Sequence, residues 1–389
     1  MKKTFKGASV VAIAAMSAST LIAGIAGAAQ GDGKKGDIDL VTPTASIAFG
    51  GSSFSAPFVT FMANKANAGA YNNPNATFGS NSAAGSGDGR SGVTGGTYQI
   101  GFSDQPMNLA AGTLPTGVNP ADYTQIPLAL GGAVVAYNLP GKDGLKLTAA
   151  TIALIYNGKI TKWNDAAIAA TNPGVTLPNT TITVEYRSAS SGTTYAFTDY
   201  LAKATQGKTP TGASSAVMEG TGKLWGAGTT GTVAAASNNA SMASQINSTE
   251  GAIGYVEYSY LLVPGNHLQA AQLQGTDGKF MAPTLTNIAN AAAASLKTIT
   301  TDNFSITYLP GKNVWPFATY TWAIIKNVQT DAAKGELAVK FLDYFVQGGQ
   351  LKAAANGFVA LPKAIQVSDH KALAKVKDAT GKVLLSQKK

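Results

Sequence analysis

Arginine is scarce in this sequence. Of 29 Lys and Arg residues, only Arg90 and Arg187 are arginines. Each lies in a stretch rich in Gly and Ser: Gly85-Ser86-Gly87-Asp88-Gly89-Arg90-Ser91-Gly92 and Arg187-Ser188-Ala189-Ser190-Ser191-Gly192-Thr193. A guanidinium is a planar fork that gives two parallel hydrogen bonds to a tetrahedral oxyanion, whereas a lysine ammonium is a point charge. A chain that otherwise uses lysine keeps arginine where that geometry counts. Arg187 is therefore expected to contact an anion. Arg90 reads more readily as a structural residue, with Asp88 at hand for a local pair.

Three segments share a second logic. Gly51-Ser52-Ser53-Phe54 and Ser190-Ser191-Gly192-Thr193 each fall where a strand hands over to a helix, and Gly85-Ser86-Gly87 reads as a Gly-rich loop. The first N–H groups of a helix point outward unpaired, and the helix dipole favours negative charge there. Glycine lets backbone approach closely, and Ser and Thr hydroxyls add donors. One such turn is an ordinary N-cap; three in one chain, one beside an arginine, suit a small oxyanion. An acid joins them: Asp104 closes Gly101-Phe102-Ser103-Asp104. An ionised carboxylate only accepts hydrogen bonds, so it favours an oxyanion that keeps a proton, as phosphate does and sulfate does not. From spacing alone Asp104 reads equally as a turn or N-cap residue.

The elements that position these residues alternate between strand and helix. Ser46–Phe49, Tyr98–Phe102, Gly131–Tyr137, Thr181–Tyr186, Gly254–Tyr258 and Thr319–Ile325 read as strands. Helical spacing follows Pro57, with Phe58, Phe61 and Met62, and recurs over Thr193–Lys203 and Glu336–Val346. Short helices are expected over Thr148–Ile155 and Trp163–Ala170, and Asn72–Gly96 reads mainly as loop. The alternation predicts an α/β fold with partly parallel sheets.

Length and composition narrow the function. At 389 residues, with 45% hydrophobic and 13% charged residues, the chain suits two globular lobes and is far from a disordered composition. Met1-Lys2-Lys3, an apolar run over about Ala8–Ile25 and Ala26-Gly27-Ala28-Ala29 have the parts of a secretory signal peptide. The absence of cysteine excludes both disulfides and lipid attachment through an N-terminal cysteine. The net charge of +9 comes from dispersed lysines, without the aromatic interleaving of a nucleic-acid surface. His267 and His370 sit in loop or tail contexts and no metal-ligand spacing appears, so a hydrolase lacks its usual parts.

These residues resemble the phosphate-binding protein of the bacterial high-affinity phosphate ABC transporter. The resemblance runs over nearly the whole chain after the leader. It rests on Gly51–Pro57, Gly85-Ser86-Gly87, Phe102-Ser103-Asp104, Ile155–Ile160 with Trp163-Asn164-Asp165, Arg187–Thr193 and Gly251–Tyr258. It implies a two-lobed periplasmic-binding-protein fold of type II, with the ligand in the inter-lobe cleft. It implies phosphate held by the Ser53 hydroxyl and N–H, the Phe54 N–H, the Ser86 hydroxyl, the Asp104 carboxylate, the Arg187 fork, and the N–H and hydroxyl groups of Ser191, Gly192 and Thr193. There are departures. Ser53 stands where the family often has Thr, and Ala189 where it often has an Asp that pairs with the guanidinium.

The resulting expectation is a non-enzymatic, monomeric periplasmic receptor without cofactor or metal, which passes inorganic phosphate to a membrane permease and binds no nucleic acid. Residues 1–29 would be the signal peptide, 30–130 the first part of lobe I, 131–314 lobe II, and 315–389 the return to lobe I. The chain would cross near Thr124–Gly132 and return near Trp315–Tyr320. The alternatives are a phosphoryl hydrolase on the same fold, a receptor for sulfate or molybdate, or an extracellular scavenger.

Overall fold

The computed structural model describes residues 45–66, 76–107, 114–188, 190–206, 232–296 and 305–385. The expected signal peptide, Ala189 and the last four residues lie outside these. A mixed sheet forms the frame. Its strands, numbered in chain order, are β1 (Phe49–Gly51), β2 (Ile100–Ser103), β3 (Tyr123–Tyr137), β4 (Thr183–Arg187), β5 (Thr232–Ala236), β6 (Ala252–Glu257) and β7 (Ala318–Lys326). Their order across the sheet is β1-β2-β7-β3-β6-β4-β5, and the short strand Gln269–Ala270 pairs with the end of β3. The β1–β2, β6–β4 and β4–β5 pairs are parallel; β2–β7, β7–β3 and β3–β6 are antiparallel.

Nine helices clothe the described residues: α1 (Ala56–Lys65), α2 (Ser86–Thr94), α3 (Ala149–Tyr156), α4 (Ala166–Thr171), α5 (Gly192–Ala204), α6 (Asn239–Ser248), α7 (Leu285–Ser295), α8 (Ala332–Val346) and α9 (Lys363–Leu373). None is long and apolar enough to cross a membrane. The expected inner faces are buried: Phe58 and Met62 on α1, Phe197, Tyr200 and Leu201 on α5, and Leu337, Phe341, Leu342 and Phe345 on α8. Strands buried on both faces read as continuous apolar runs, and the interior of β3, from Ile126 to Tyr137, is such a run.

β3 joins the two halves of the sheet. Its residues 123–132 pair with β7, and Ala133–Tyr137 pair with β6. The step between them falls at Gly131-Gly132. A Cβ at Gly131 would lie 2.4 Å from the Phe54 ring, and one at Gly132 would lie 2.4 Å from Ile288 Cδ1. Here only glycine lets side chains from both sides reach the strand backbone. The returning chain is tied to the same place, since Ala133 N donates to Phe317 O at 2.9 Å and Trp315 Nε1 donates to Ala133 O at 2.9 Å.

Four sequence readings change. The run Gly131–Tyr137 belongs to the fifteen-residue strand β3, because its N-terminal half is also paired and buried. Ser46–Phe49 divides into Ala45–Ile47, which pairs with Ala76–Phe78, and β1. Asn72–Gly96, read as loop, contains the strand Ala76–Phe78 and helix α2. The glycines of α2 lower its propensity, but packing requires them: a Cβ at Gly89 would lie 2.1 Å from Phe102 O, and one at Gly92 would lie 2.1 Å from the Tyr98 ring. His370, read as a loop or tail residue, is on α9, with Nδ1 2.7 Å from Oδ1 of buried Asp343.

The neighbour of His370 gives a stability prediction. Asp369 is buried, and its Oδ2 has no hydrogen-bond partner. Burial first, then repulsion by Asp343, pushes its carboxyl well above the ordinary range. A folded value above the unfolded one means that stability is lost as pH rises and the group is forced to ionise. Asp369→Asn should therefore raise the melting temperature by about 2 °C or more at pH 8, with a smaller gain at pH 4. Thermal melts at the two pH values check this.

Candidate anion-binding site

Ends of four sheet strands and starts of four helices converge on one buried cluster. β1 hands over to α1 through Ser52-Ser53-Phe54, and Pro57 in the first turn of α1 needs no N–H partner. α2 begins at Ser86, behind Gly85 at φ 145°, a conformation that favours glycine. Asp104 follows β2 directly. Arg187 is the last residue of β4, and Ser191 is the N-cap of α5, accepting from Thr194 N at 3.2 Å. All eight residues picked out from the sequence are buried: Ser53, Phe54, Ser86, Asp104, Arg187, Ser191, Gly192 and Thr193.

Arg187 is the centre. Only 1% of it is exposed. Its Nη1 donates to Ser191 Oγ at 2.9 Å and to Ser53 Oγ at 3.2 Å, and its Nη2 donates to Ser237 O at 2.9 Å. Its Nε is buried without a hydrogen-bond partner. Among the described residues no carboxylate comes within ion-pair distance of it. Burial pushes the guanidinium downward, while Tyr255, Asp104 and Tyr260 support its charge.

Asp104 is the buried acid of the cluster. Its Oδ1 accepts from Ser52 Oγ at 2.5 Å and its Oδ2 from Ser86 Oγ at 3.2 Å. Burial raises its carboxyl to about 6, against the pull of the Ser52, Thr321 and Ser86 hydroxyls and of Arg187. Ser86 also accepts from Gly192 N at 3.1 Å, so the starts of α2 and α5 meet across the cluster. The Phe54 N–H is directed to Ser52 Oγ at 3.0 Å, while the Phe54 ring packs edge-on to Phe358.

Sequence reasoning missed several members. Ser52 was visible in its turn but not as a partner of Asp104. Asn239, at the start of α6, donates through Nδ2 to Ser53 Oγ at 2.9 Å and to Thr193 Oγ1 at 3.1 Å, while its Oδ1 accepts from Glu257 N at 3.1 Å. Tyr260 Oη donates to Ser53 O at 3.3 Å, and Tyr255 Oη shares a hydrogen bond with Thr194 Oγ1 at 2.7 Å. The only signal for Asn239 was an Asn pair ahead of a helix. Arg90 was read in a turn but lies buried within α2, because that segment is helical. It donates to Ser103 Oγ at 3.1 Å and to Ser190 Oγ at 3.5 Å, bracing the segments on either side of the cluster. Asp88 accepts from Ser82 Oγ at 2.6 Å and from Tyr98 Oη at 3.1 Å.

Comparison with known proteins gives the family and the fold. Residues 26–348 match the model of the PBP superfamily domain. The phosphate-binding protein PstS of Xylella fastidiosa (strain 9a5c) is 33% identical over 326 residues, covering 82% of this chain and 83% of that protein. Among solved structures, a high-affinity periplasmic phosphate-binding protein (PfluDING) bound with phosphate superposes with a TM-score of 0.61 at 18% identity, over 83% of this chain and 92% of that one. A phosphate-binding protein from Stenotrophomonas maltophilia gives 0.60 at 18% identity, over 84% and 93%. The two structures share the two-lobed α/β fold. Sequence and fold together place this chain in the PstS family of phosphate-binding proteins, within the PBP superfamily.

Proposed function

We propose that this protein captures inorganic phosphate between its lobes and delivers it to the membrane permease of an ABC transporter. The observation that carries the reading is the Arg187 guanidinium: buried, partnered by hydroxyls and carbonyls, and without a carboxylate in ion-pair range. A buried cation without a counter-charge is costly, and an anionic ligand supplies that charge. In this reading Ser53, Phe54 and Ser86 donate from one side, the Phe54 N–H and the Ser86 hydroxyl turning to the ligand from Ser52 and Asp104. Arg187, Ser191, Gly192 and Thr193 donate from the other, and Asp104 accepts the phosphate proton. The names of the relatives support a phosphate-binding protein over the hydrolase alternative.

The remaining parts of the reading rest on the resemblance. Residues 1–29 direct export to the periplasm. Lobe I comprises 30–130 and 315–389, and lobe II comprises 131–314. The protein acts as a monomer and turns nothing over. Closure of the lobes about their two crossings brings the donors onto the ligand.

Calorimetric titration with phosphate and with sulfate tests the reading. One saturable phosphate site without a sulfate response is expected. Equal binding of sulfate would remove Asp104 from its role, and binding of neither would overturn the receptor. Closure gives a further prediction. A methyl group at Gly192 would lie 2.4 Å from Ser86 Oγ and 2.7 Å from Asp104 Cβ. Gly192→Ala should weaken phosphate binding by roughly tenfold or more, at overpacking costs typical of close-packed sites, and leave the melting temperature nearly unchanged.

A further inference from the structure

The direction of the hydrogen bonds around Asp104 is fixed by the backbone. A serine hydroxyl has one proton and two lone pairs. Ser52 Oγ accepts from Phe54 N at 3.0 Å and from Ser55 N at 3.2 Å, which occupies both lone pairs. Toward Asp104 Oδ1, at 2.5 Å, it has only its proton to offer. Ser86 Oγ is in the same position: it accepts from Asp104 N at 3.0 Å and from Gly192 N at 3.1 Å, and faces Asp104 Oδ2 at 3.2 Å. Both oxygens of the carboxyl thus meet a hydroxyl that can donate and cannot accept. A third hydroxyl, that of buried Thr321 on β7, also favours the ionised form; toward Ser52 or Ser86, a proton on Asp104 would point at a hydroxyl that cannot accept it.

We propose that Ser52 is a specificity-determining residue of this site: its hydroxyl donates to Asp104 and keeps that carboxylate a hydrogen-bond acceptor when the Ser86 proton turns to the ligand, so that the site takes an oxyanion that brings its own proton. The inference rests on the phosphate reading and extends it to a residue outside the expected contacts. Ser52 acts through Asp104 and is a positioning residue. The other charged groups around Asp104 have opposing effects. Arg187, at the end of β4, favours the carboxylate and the desolvated surroundings oppose it, while the charge of Asp104 adds to the upward push on buried Glu257 at the end of β6. Glu257 is itself pushed well above the ordinary range by burial and accepts from the Ser259 hydroxyl and N–H. Without the Ser52 donor, burial has less to oppose it, and Asp104 takes up a proton at higher pH.

The test uses the full mature protein, with Ser52→Ala and Ser52→Thr beside the parent. Phosphate and sulfate binding are measured by calorimetry from pH 5 to 8.5. The Asp104 carboxyl is followed in the ligand-free proteins by difference infrared titration. In Ser52→Ala the carboxyl should titrate at higher pH, the acid limb of phosphate binding should move the same way, and phosphate affinity at pH 7 should fall about tenfold, the loss typical of a hydrogen bond to a charged group. Sulfate should bind measurably, because a protonated Asp104 can donate to it. Ser52→Thr, which keeps the hydroxyl, should restore the parent profile. If Ser52→Ala does not fold, Ser52→Cys, with its weaker thiol donor, should shift the titration in the same direction. An unchanged carboxyl titration in a folded variant overturns the inference and leaves the receptor intact. A parent that binds no phosphate overturns both.

Discussion

Arg187→Ala should weaken phosphate binding by a hundredfold or more while leaving the protein folded. The guanidinium is the only charged donor among the proposed contacts, and its Nη1 joins Ser53 and Ser191 on opposite sides of the cluster. Removing one member of a desolvated charge pair costs about 2–5 kcal/mol, or roughly thirtyfold to several thousandfold in affinity. The remaining donors are neutral hydroxyls and N–H groups, which do not replace that charge. Stability should move the other way, because the ligand-free protein buries this cation without an ion-pair partner among the described residues. The variant's melting temperature without phosphate should equal or exceed the parent's. Arg187→Lys should fall between the two in affinity, since it keeps the charge and loses the planar fork. Calorimetry paired with thermal melts separates these outcomes. A variant that binds like the parent would move the anion site elsewhere.

Asp104→Asn should remove most of the preference for phosphate over sulfate. A site built to pair with a ligand hydroxyl rejects an analogue lacking it by about 10⁴-fold, because a buried group is left unpaired. An asparagine amide donates as well as accepts and has no charge to repel sulfate, so the phosphate-to-sulfate affinity ratio should fall by about a thousandfold. The substitution also has a pH signature. The Asp104 value, about 6, lies above its unfolded value of 3.8, chiefly through burial. Ionising it therefore costs folded-state stability, and that cost grows as pH rises from the unfolded value through about 6. Relative to the parent, the ligand-free melting temperature of Asp104→Asn should be more favourable at pH 8 than at pH 4, because the amide N–H facing a hydroxyl that cannot accept it costs the same at both. Parent phosphate binding should weaken as pH falls through the same range. Competition titrations and melts at both pH values test the two halves separately.

What could be read from the sequence was the chemistry carried by short segments. Ser53, Arg187, Ser191 and Thr193 were legible because strand-to-helix turns have local signatures: a small polar N-cap, a glycine, and a cation at the strand end. Strands β2, β3, β4, β6 and β7 were legible at least in part as apolar or alternating runs, whereas β5 was not read and β1 was met only at Phe49. α2 was not, because its glycines weaken the helix signal and are explained only by the Phe102 carbonyl and the Tyr98 ring they pack against. Asn239 was not legible either. It stands 186 residues from Ser53, and the chain contains nothing local that couples them. The link between Ser52 and Asp104 spans 52 residues and shows only when β1 and β2 lie side by side. The resemblance supplied the proposed anion contacts; it did not supply the hydrogen bonds among those residues.

The two chain crossings have a consequence for timing. β3 and the returning chain are bonded to each other at Ala133, Trp315 and Phe317, and β3 continues into the β7 ladder on one side and the β6 ladder on the other. Separate linkers would let the halves tumble independently. Crossings laced together restrict the halves to a common swing, and in the proposed receptor a captured anion would wait on that swing before it leaves. The dwell time of the proposed cargo would then be one clock, and a permease that steadied both halves would have only that clock to stop.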